Sequence, residues 1–242
     1  MIDPVGTDMT KNAHPTSNQQ RWEDHYSEIL QSPSMFWPNE ALVKTIFGSY
    51  LSKPFSLPEQ ATVLDVGCGM GGNLRPFMTR GHKCHGVEVT DKTAGAIQEA
   101  LDAQGFNMKI HGGTNRALPF EDETFDLLIS VNVVHYETNE ENLKAAFQEY
   151  RRVLKPGGAL YLSTVGPKHE IYQSAEVAGP HRYKIANYDF RNDEIYFYFD
   201  NEKYLKSYLK ESFVDVETGN VTERLMSRTV DFLTAFARRD EI

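Results

Sequence analysis

The chain has little of what staples small secreted or metal-built proteins together. Among its 242 residues there are only two cysteines, Cys68 and Cys84. Neither falls in a C-x-x-C or Cys/His spacing, so the reading predicts no metal centre and no disulfide framework, and both residues fit free thiols in a reducing compartment. No apolar run approaches the length of a membrane span, and Met1 to Gln20 lacks an apolar signal core. These absences make a cytoplasmic protein without a membrane partner the expectation. Positive charge is also in deficit: 25 Lys and Arg against 34 Asp and Glu give a formal net charge of −9. A negative long-range field repels phosphate backbones, so nucleic acid is not an expected partner. The tightest basic cluster, Arg151, Arg152 and Lys155, falls at a predicted helix end, where cations offset the macrodipole.

What is present is an ordinary globular balance, 40% hydrophobic and 24% charged, at a length that suits one α/β domain. The polar stretch 1–20 reads as a mobile N-terminus. Aromatics follow at Trp22, Tyr26, Phe36 and Trp37, and then a helix capped by Asn39. From residue 61 strands and helices alternate. Strands are predicted over 61–66, 83–89, 107–111, 125–133 and 159–165; helices are predicted over about 72–80, 90–104 and 139–154, the last stopped by Pro156-Gly157. Such alternation with short connections builds a parallel sheet covered on both faces. Residues 167–200 have no clear period, apart from a strand at 195–199 whose alternation puts Tyr196 and Tyr198 on one face and Phe197 and Phe199 on the other. A helix over 201–211 and an antiparallel pair, 213–218 and 229–237, complete the chain.

The central motif is Asp65-Val66-Gly67-Cys68-Gly69-Met70-Gly71-Gly72, a strand running through glycines into a helix. Glycine permits the sharp turn and a close ligand approach, and a helix N-terminus offers N–H donors to an anion. Gly67, Gly69 and Gly72 also satisfy G-x-G-x-x-G, the dinucleotide fingerprint, so a nicotinamide-dependent oxidoreductase stays open at this point. Two acids bear on the choice. Asp65 inside the strand would repel a pyrophosphate but could orient an ammonium. Glu88 closes the second strand, 23 residues later, where an acid accepts hydrogen bonds from ribose hydroxyls in either cofactor class.

The run Asp65 to Gly71 resembles motif I of class I S-adenosylmethionine (SAM)-dependent methyltransferases. His85-Gly86-Val87-Glu88 resembles the next motif. Leu118-Pro119-Phe120 through Phe125-Asp126 is similar to the family's L-P-F-x-D-x-x-F-D stretch, and Arg152 to Gly158 to its turn before strand five. The resemblance implies a Rossmann-like, seven-stranded, mostly parallel sheet with helices on both faces, an antiparallel last strand, an N-terminal lid over 21–58, a catalytic domain over 59–242 and an acceptor-specificity insertion over 167–200. It implies SAM as cofactor, with Gly67, Cys68 and Gly69 at the methionine part, Glu88 and Val89 at the ribose, Thr114 and Asn115 near the adenine in place of a common Asp, and Val131 and Asn132 near the amino group. Trp22 and Tyr26 would cover the cofactor.

Transfer from a sulfonium is an in-line displacement that needs a base only if the nucleophile must lose a proton, so no triad is predicted. His135, after the fourth strand, is the candidate base. Trp37, Tyr136, His181 and Tyr183 are candidates for contact with the acceptor, expected to be a small molecule methylated on O or N. A non-catalytic SAM-binding protein is the further alternative.

Overall fold

The computed structural model describes residues 17–30, 36–188 and 191–241; the predicted mobile N-terminus falls almost entirely outside these. The strands expected from the alternation form β1 (Thr62–Val66), β2 (Lys83–Glu88), β3 (Lys109–Gly112), β4 (Phe125–Val131) and β5 (Leu154–Val165). With β9 (Val214–Leu225) and β10 (Arg228–Arg238) they make one seven-stranded sheet, ordered β3-β2-β1-β4-β5-β10-β9. Neighbours from β3 to β5 pair in parallel, and β10 is antiparallel to both β5 and β9. The order reverses at β1, so β1 and β4 leave in opposite directions and open a crevice at their carboxyl ends.

Helices cover both faces. α2 (Glu40–Phe47) and α4 (Asp91–Ala103) pack on one, α5 (Glu140–Val153) and α6 (Glu202–Leu209) on the other. The strands serve both cores by alternation: Val63 faces the α4 side and Leu64 the α5 side, Tyr161 the former and Leu160 and Leu162 the latter. In α5, Leu143, Ala146, Phe147, Tyr150 and Val153 form one buried stripe at helical spacing. Full burial of each large apolar side chain is worth roughly 1.5–3 kcal/mol. The predicted cap at Asn39 forms, and Thr90, Asn139 and Asn201 likewise each accept a backbone N–H from the first turn of their helices, α4, α5 and α6. The basic cluster at the end of α5 is spent on structure, with Arg151 on Asp240, Arg152 on Glu149 and Asp122, and Lys155 on Asp126. Among the described residues, no helix is long and apolar enough to cross a membrane.

Several boundaries differ from expectation. The helix predicted over 72–80 is a single 3-10 turn, Gly72–Leu74, followed by the short α3 (Arg75–Met78), since Pro76 supplies no backbone N–H to extend it. The Lys155–Gly158 turn does not precede β5 but lies within it, as an irregularity between the Phe125–Leu154 and Leu127–Ala159 pairs. The last two strands extend until only Met226 and Ser227 connect them. The aperiodic segment after β5 contains a small antiparallel sheet of β6 (Glu176–Gly179), β7 (Arg182–Lys184) and β8 (Ile195–Phe197). Three-residue strands carry too little alternation to be read from the chain. The face assignment there agrees with the packing: Phe197 and Phe199 enter the main core, while Tyr196 joins a separate cluster with Val165 and Ile171.

Candidate active site

At the carboxyl ends of the parallel strands lies a cavity of about 680 Å3, and beside it a smaller one of about 200 Å3. Gly67 is shared between them, and so are Trp22 and Tyr26 of α1 (Ser17–Ile29), which lies across the glycine turn. The turn needs its glycines. Gly67, Gly69 and Gly71 have φ of +68°, +51° and +70°, and a Cβ on Gly67 would stand 2.5 Å from a Val133 methyl. The amides of this turn are not open donors. Gly67 N and Cys68 N bond Val87 O, Gly71 N bonds Cys68 O, and Gly69 N donates to Glu88 Oε1 at 2.7 Å. The expectation of unsatisfied helix N-terminal donors is therefore corrected at these four positions: the turn folds back onto β2 before the helical turn begins.

Glu88 is the polar centre of the site. Only 4% exposed, its carboxylate also accepts from Tyr26 Oη at 3.1 Å and Val89 N at 3.3 Å. Burial raises its pKa, and the bonds from Gly69, Tyr26 and Val89 oppose that. Asp65 differs. It is fully buried behind the turn, lines neither cavity, and neither oxygen has a hydrogen-bond partner. Burial pushes its pKa well above the carboxylate range; the nearby Asn73 side chain favours the charged form without completing a hydrogen bond. The expected direct contact between Asp65 and an ammonium is thus not supported by its placement, because no part of the side chain reaches the cavity wall.

α1 is tied to the start of α4 by Glu23, itself buried, which accepts from Thr90 Oγ1 at 2.9 Å and Lys92 Nζ at 2.8 Å. Val89, Thr114, Asn115, Val131 and Asn132 line the large cavity, and Cys68 and Trp37 the small one. Asn115 is already committed. Its Oδ1 accepts from Tyr150 Oη at 2.6 Å and its Nδ2 donates to Glu137 Oε1 at 3.0 Å. Glu137 was not singled out from sequence, yet it lines the cavity beside Thr114 and Asn115 and is paired with Arg116 at 3.1 Å. Its place after β4 is visible only once β4 is known to lie next to β1.

His135 lines the same cavity, 2% exposed, with Nδ1 3.3 Å from Thr164 Oγ1 and its ring against Tyr136 and Tyr196. Burial foremost, then the charges of Arg191 and His169, lower its pKa to about 3, so it is a neutral imidazole. Tyr136 also lines the cavity and bonds Tyr196 through the two hydroxyls at 3.1 Å. His181 and Tyr183 do not belong to this group. Neither lines either of these two cavities; His181 stacks on Tyr204, and Tyr183 packs with Tyr172 and Tyr198. Tyr183 sits in β7, the central strand of the small sheet, and His181 in the turn before it.

Residues 63–158 match a family described as a methyltransferase domain. Sterol 4-C-methyltransferase of Caenorhabditis elegans is 32% identical over 111 residues, covering 45% of this chain and 32% of that protein. The chain spans less than two thirds of the length of the first sequence relatives it matches. A SAM-dependent methyltransferase structure from Methanosarcina mazei superposes with a TM-score of 0.63 at 19% identity, covering 76% of this chain and 94% of that one. Phosphoethanolamine N-methyltransferase 2 of Haemonchus contortus, solved with phosphomonomethylethanolamine and S-adenosylhomocysteine, superposes at 0.63 and 15% identity over 93% of this chain and 58% of that one. At such identities the structures show a shared fold; the acceptors named for the relatives differ, and several sequence relatives are named for methylation at carbon. The strand order and the glycine turn thus coincide with a matched methyltransferase domain over residues 63–158 and with the fold of SAM-dependent methyltransferase structures.

Proposed function

We propose that the protein transfers a methyl group from SAM to an oxygen or nitrogen atom of a small-molecule acceptor, a sugar or other metabolite, by in-line displacement. The observation that carries this reading is Glu88, a buried carboxylate on the wall of a cavity of about 680 Å3, beside a glycine turn that admits no Cβ. Such an acid suits a ribose diol. SAM supplies a methyl group on a positively charged sulfur, a leaving group that needs no further activation.

The residues then have distinct tasks. Glu88 and Val89 hold the sugar, Gly67, Cys68 and Gly69 meet the amino-acid part, and Val131 and Asn132 close the far side. Thr114 and Asn115 flank the base, where Glu137 supplies the acceptor for an exocyclic amine. Trp22 and Tyr26 cover the cofactor as part of a lid over 21–58, held by the Glu23–Lys92 and Glu23–Thr90 contacts; the rest of the chain from 59 forms the catalytic unit. Trp37 and Tyr136 bound the acceptor. A neutral His135 can accept a hydrogen bond from a nucleophile and orient it, but its low basicity argues against long storage of a proton. The buried free thiols Cys68 and Cys84 suit a reducing, cytoplasmic setting.

Calorimetric titration with SAM, S-adenosylhomocysteine and NAD tests this. Binding of the first two and not the third is expected. NAD binding without SAM binding would reject it, and SAM binding without turnover on any acceptor would favour a non-catalytic binder.

A further inference from the structure

A chain of hydrogen bonds runs through the core to the large cavity, and chemistry fixes its direction. Tyr150 carries the only hydroxyl in the buried stripe of α5, where a phenylalanine would pack equally well. Its Oη lies 3.1 Å from Ser130 Oγ of β4 and 2.6 Å from Asn115 Oδ1. Asn115 Nδ2 donates in turn to Glu137 Oε1 at 3.0 Å. A carboxylate only accepts, so the Asn115 amide must present its nitrogen to Glu137 and its oxygen to Tyr150. The phenol then donates to that oxygen, and its own lone pairs are left for the Ser130 hydroxyl. Donation thus runs one way, from Ser130 through Tyr150 and Asn115 to Glu137. Burial foremost raises the Tyr150 pKa, which keeps the phenol protonated and donating. Ser130 and Tyr150 are fully buried behind the wall, while Asn115 and Glu137 belong to it. Asn115 sits at the tip of a tight turn in which Thr114 and Ala117 exchange two backbone bonds of 3.1 Å. The second Glu137 oxygen, Oε2, is paired with Arg116 Nε at 3.1 Å. Each oxygen therefore has one described partner and a further lone pair to offer.

We propose that Ser130, Tyr150 and Asn115 form a relay that fixes Glu137 in place as the reader of the cofactor's base, so that Tyr150, which touches no ligand, is a positioning residue for nucleoside specificity. The inference rests on the SAM reading and adds to it the residues that make the site select an amine-bearing purine. A fully connected buried chain holds each member in one orientation, whereas a break in it leaves a polar group unpaired in the core. Held this way, Glu137 turns acceptor lone pairs toward the cavity. An exocyclic amine meets them as a donor; a carbonyl at the same ring position sets acceptor against acceptor and is disfavoured.

The test titrates S-adenosylhomocysteine and S-inosylhomocysteine by calorimetry into the full chain, as wild type, Tyr150→Phe, Glu137→Gln and the double variant. Binding of S-adenosylhomocysteine to wild type checks the cofactor reading separately; its failure would reject that reading and the relay with it. Tyr150→Phe keeps the ring in the core and removes only the donor to Asn115. It should narrow the preference for S-adenosylhomocysteine by about fivefold, the scale of one neutral hydrogen bond. A merely structural tyrosine would lower Tm and weaken both ligands alike, leaving their ratio unmoved. Because the relay acts through Glu137, Tyr150→Phe should narrow the preference no further in the Glu137→Gln background. Ser130→Ala breaks the same relay at its far end without touching the cavity wall, and should narrow the preference in the same direction by less. A preference unmoved by both Tyr150→Phe and Ser130→Ala, or narrowed by Tyr150→Phe as much without the Glu137 carboxylate as with it, would overturn the inference while leaving the cofactor result standing.

Discussion

The Tyr26 hydroxyl lies 3.1 Å from Glu88 Oε1, which joins a helix from the N-terminal region to the acid at the end of the second strand. The same oxygen accepts the Gly69 amide, so one carboxylate links α1, the glycine turn and β2. Burial raises the Tyr26 pKa well above its usual value, keeping the phenol protonated and able to donate. Tyr26→Phe deletes one donor to a charged acceptor without changing the ring. The expected cost to S-adenosylhomocysteine affinity is about 1 kcal/mol, a several-fold rise in Kd by calorimetry. An unchanged Kd would mean that α1 covers the site without contributing to it.

Gly67 is expected to tolerate no side chain. Its φ of +68° and the 2.5 Å separation that an added Cβ would have from a Val133 methyl act together. Gly67→Ala should cost roughly 1–2 kcal/mol of backbone strain, plus the displacement of Val133, and should abolish S-adenosylhomocysteine binding. Gly81→Ala is the control. Its φ is +81° but nothing lies within 4 Å, so it should lower Tm through strain alone and leave binding intact.

His135 makes stability depend on pH in a definite direction. Its folded pKa of about 3 lies below the ordinary 6.5, so the unfolded chain takes up a proton that the folded chain refuses. Stability linked to it is complete above 6.5 and is lost as pH falls towards 3. Between pH 7 and pH 5, wild type should lose about 2 kcal/mol more than His135→Gln in urea unfolding, at about 1.4 kcal/mol per pKa unit. Equal losses would show that the imidazole titrates freely and is not enclosed as described.

Glu137 gives a test of base recognition. It lines the cavity beside Thr114 and Asn115. Wild type should prefer S-adenosylhomocysteine to S-inosylhomocysteine, whose base lacks the exocyclic amine. Glu137→Gln should narrow that preference by about tenfold, one charge-assisted hydrogen bond. A preference that survives intact would assign the amine to the backbone instead.

Much of the fold was legible because its signals are local and periodic. The parallel strands are short apolar runs, α5 has a clean stripe from Leu143 to Val153, and Asn and Thr caps mark the helix starts. The placement of Glu88 was legible for the same reason: it ends β2 beside the glycine turn, and it is buried on the cavity wall. What escaped depended on distance in sequence. Glu137 is tied to Asn115, 22 residues away, a pairing with no local signature. Asp65 was misplaced for the opposite reason, since a strand residue next to the turn alternates away from the crevice its neighbours line. His181 and Tyr183 were grouped with the site because aromatics concentrate in the insertion, but those two pack with other aromatics.

The central claim is that Glu88 holds the ribose of SAM at the carboxyl end of β2. Titrating S-adenosylhomocysteine into wild type and Glu88→Ala tests it most directly, with circular dichroism confirming that the variant is folded. The account predicts binding to wild type and a loss of roughly 1.5–3 kcal/mol in the variant, the worth of hydrogen bonds to a charged group. Equal affinities, or no binding to wild type, would contradict it.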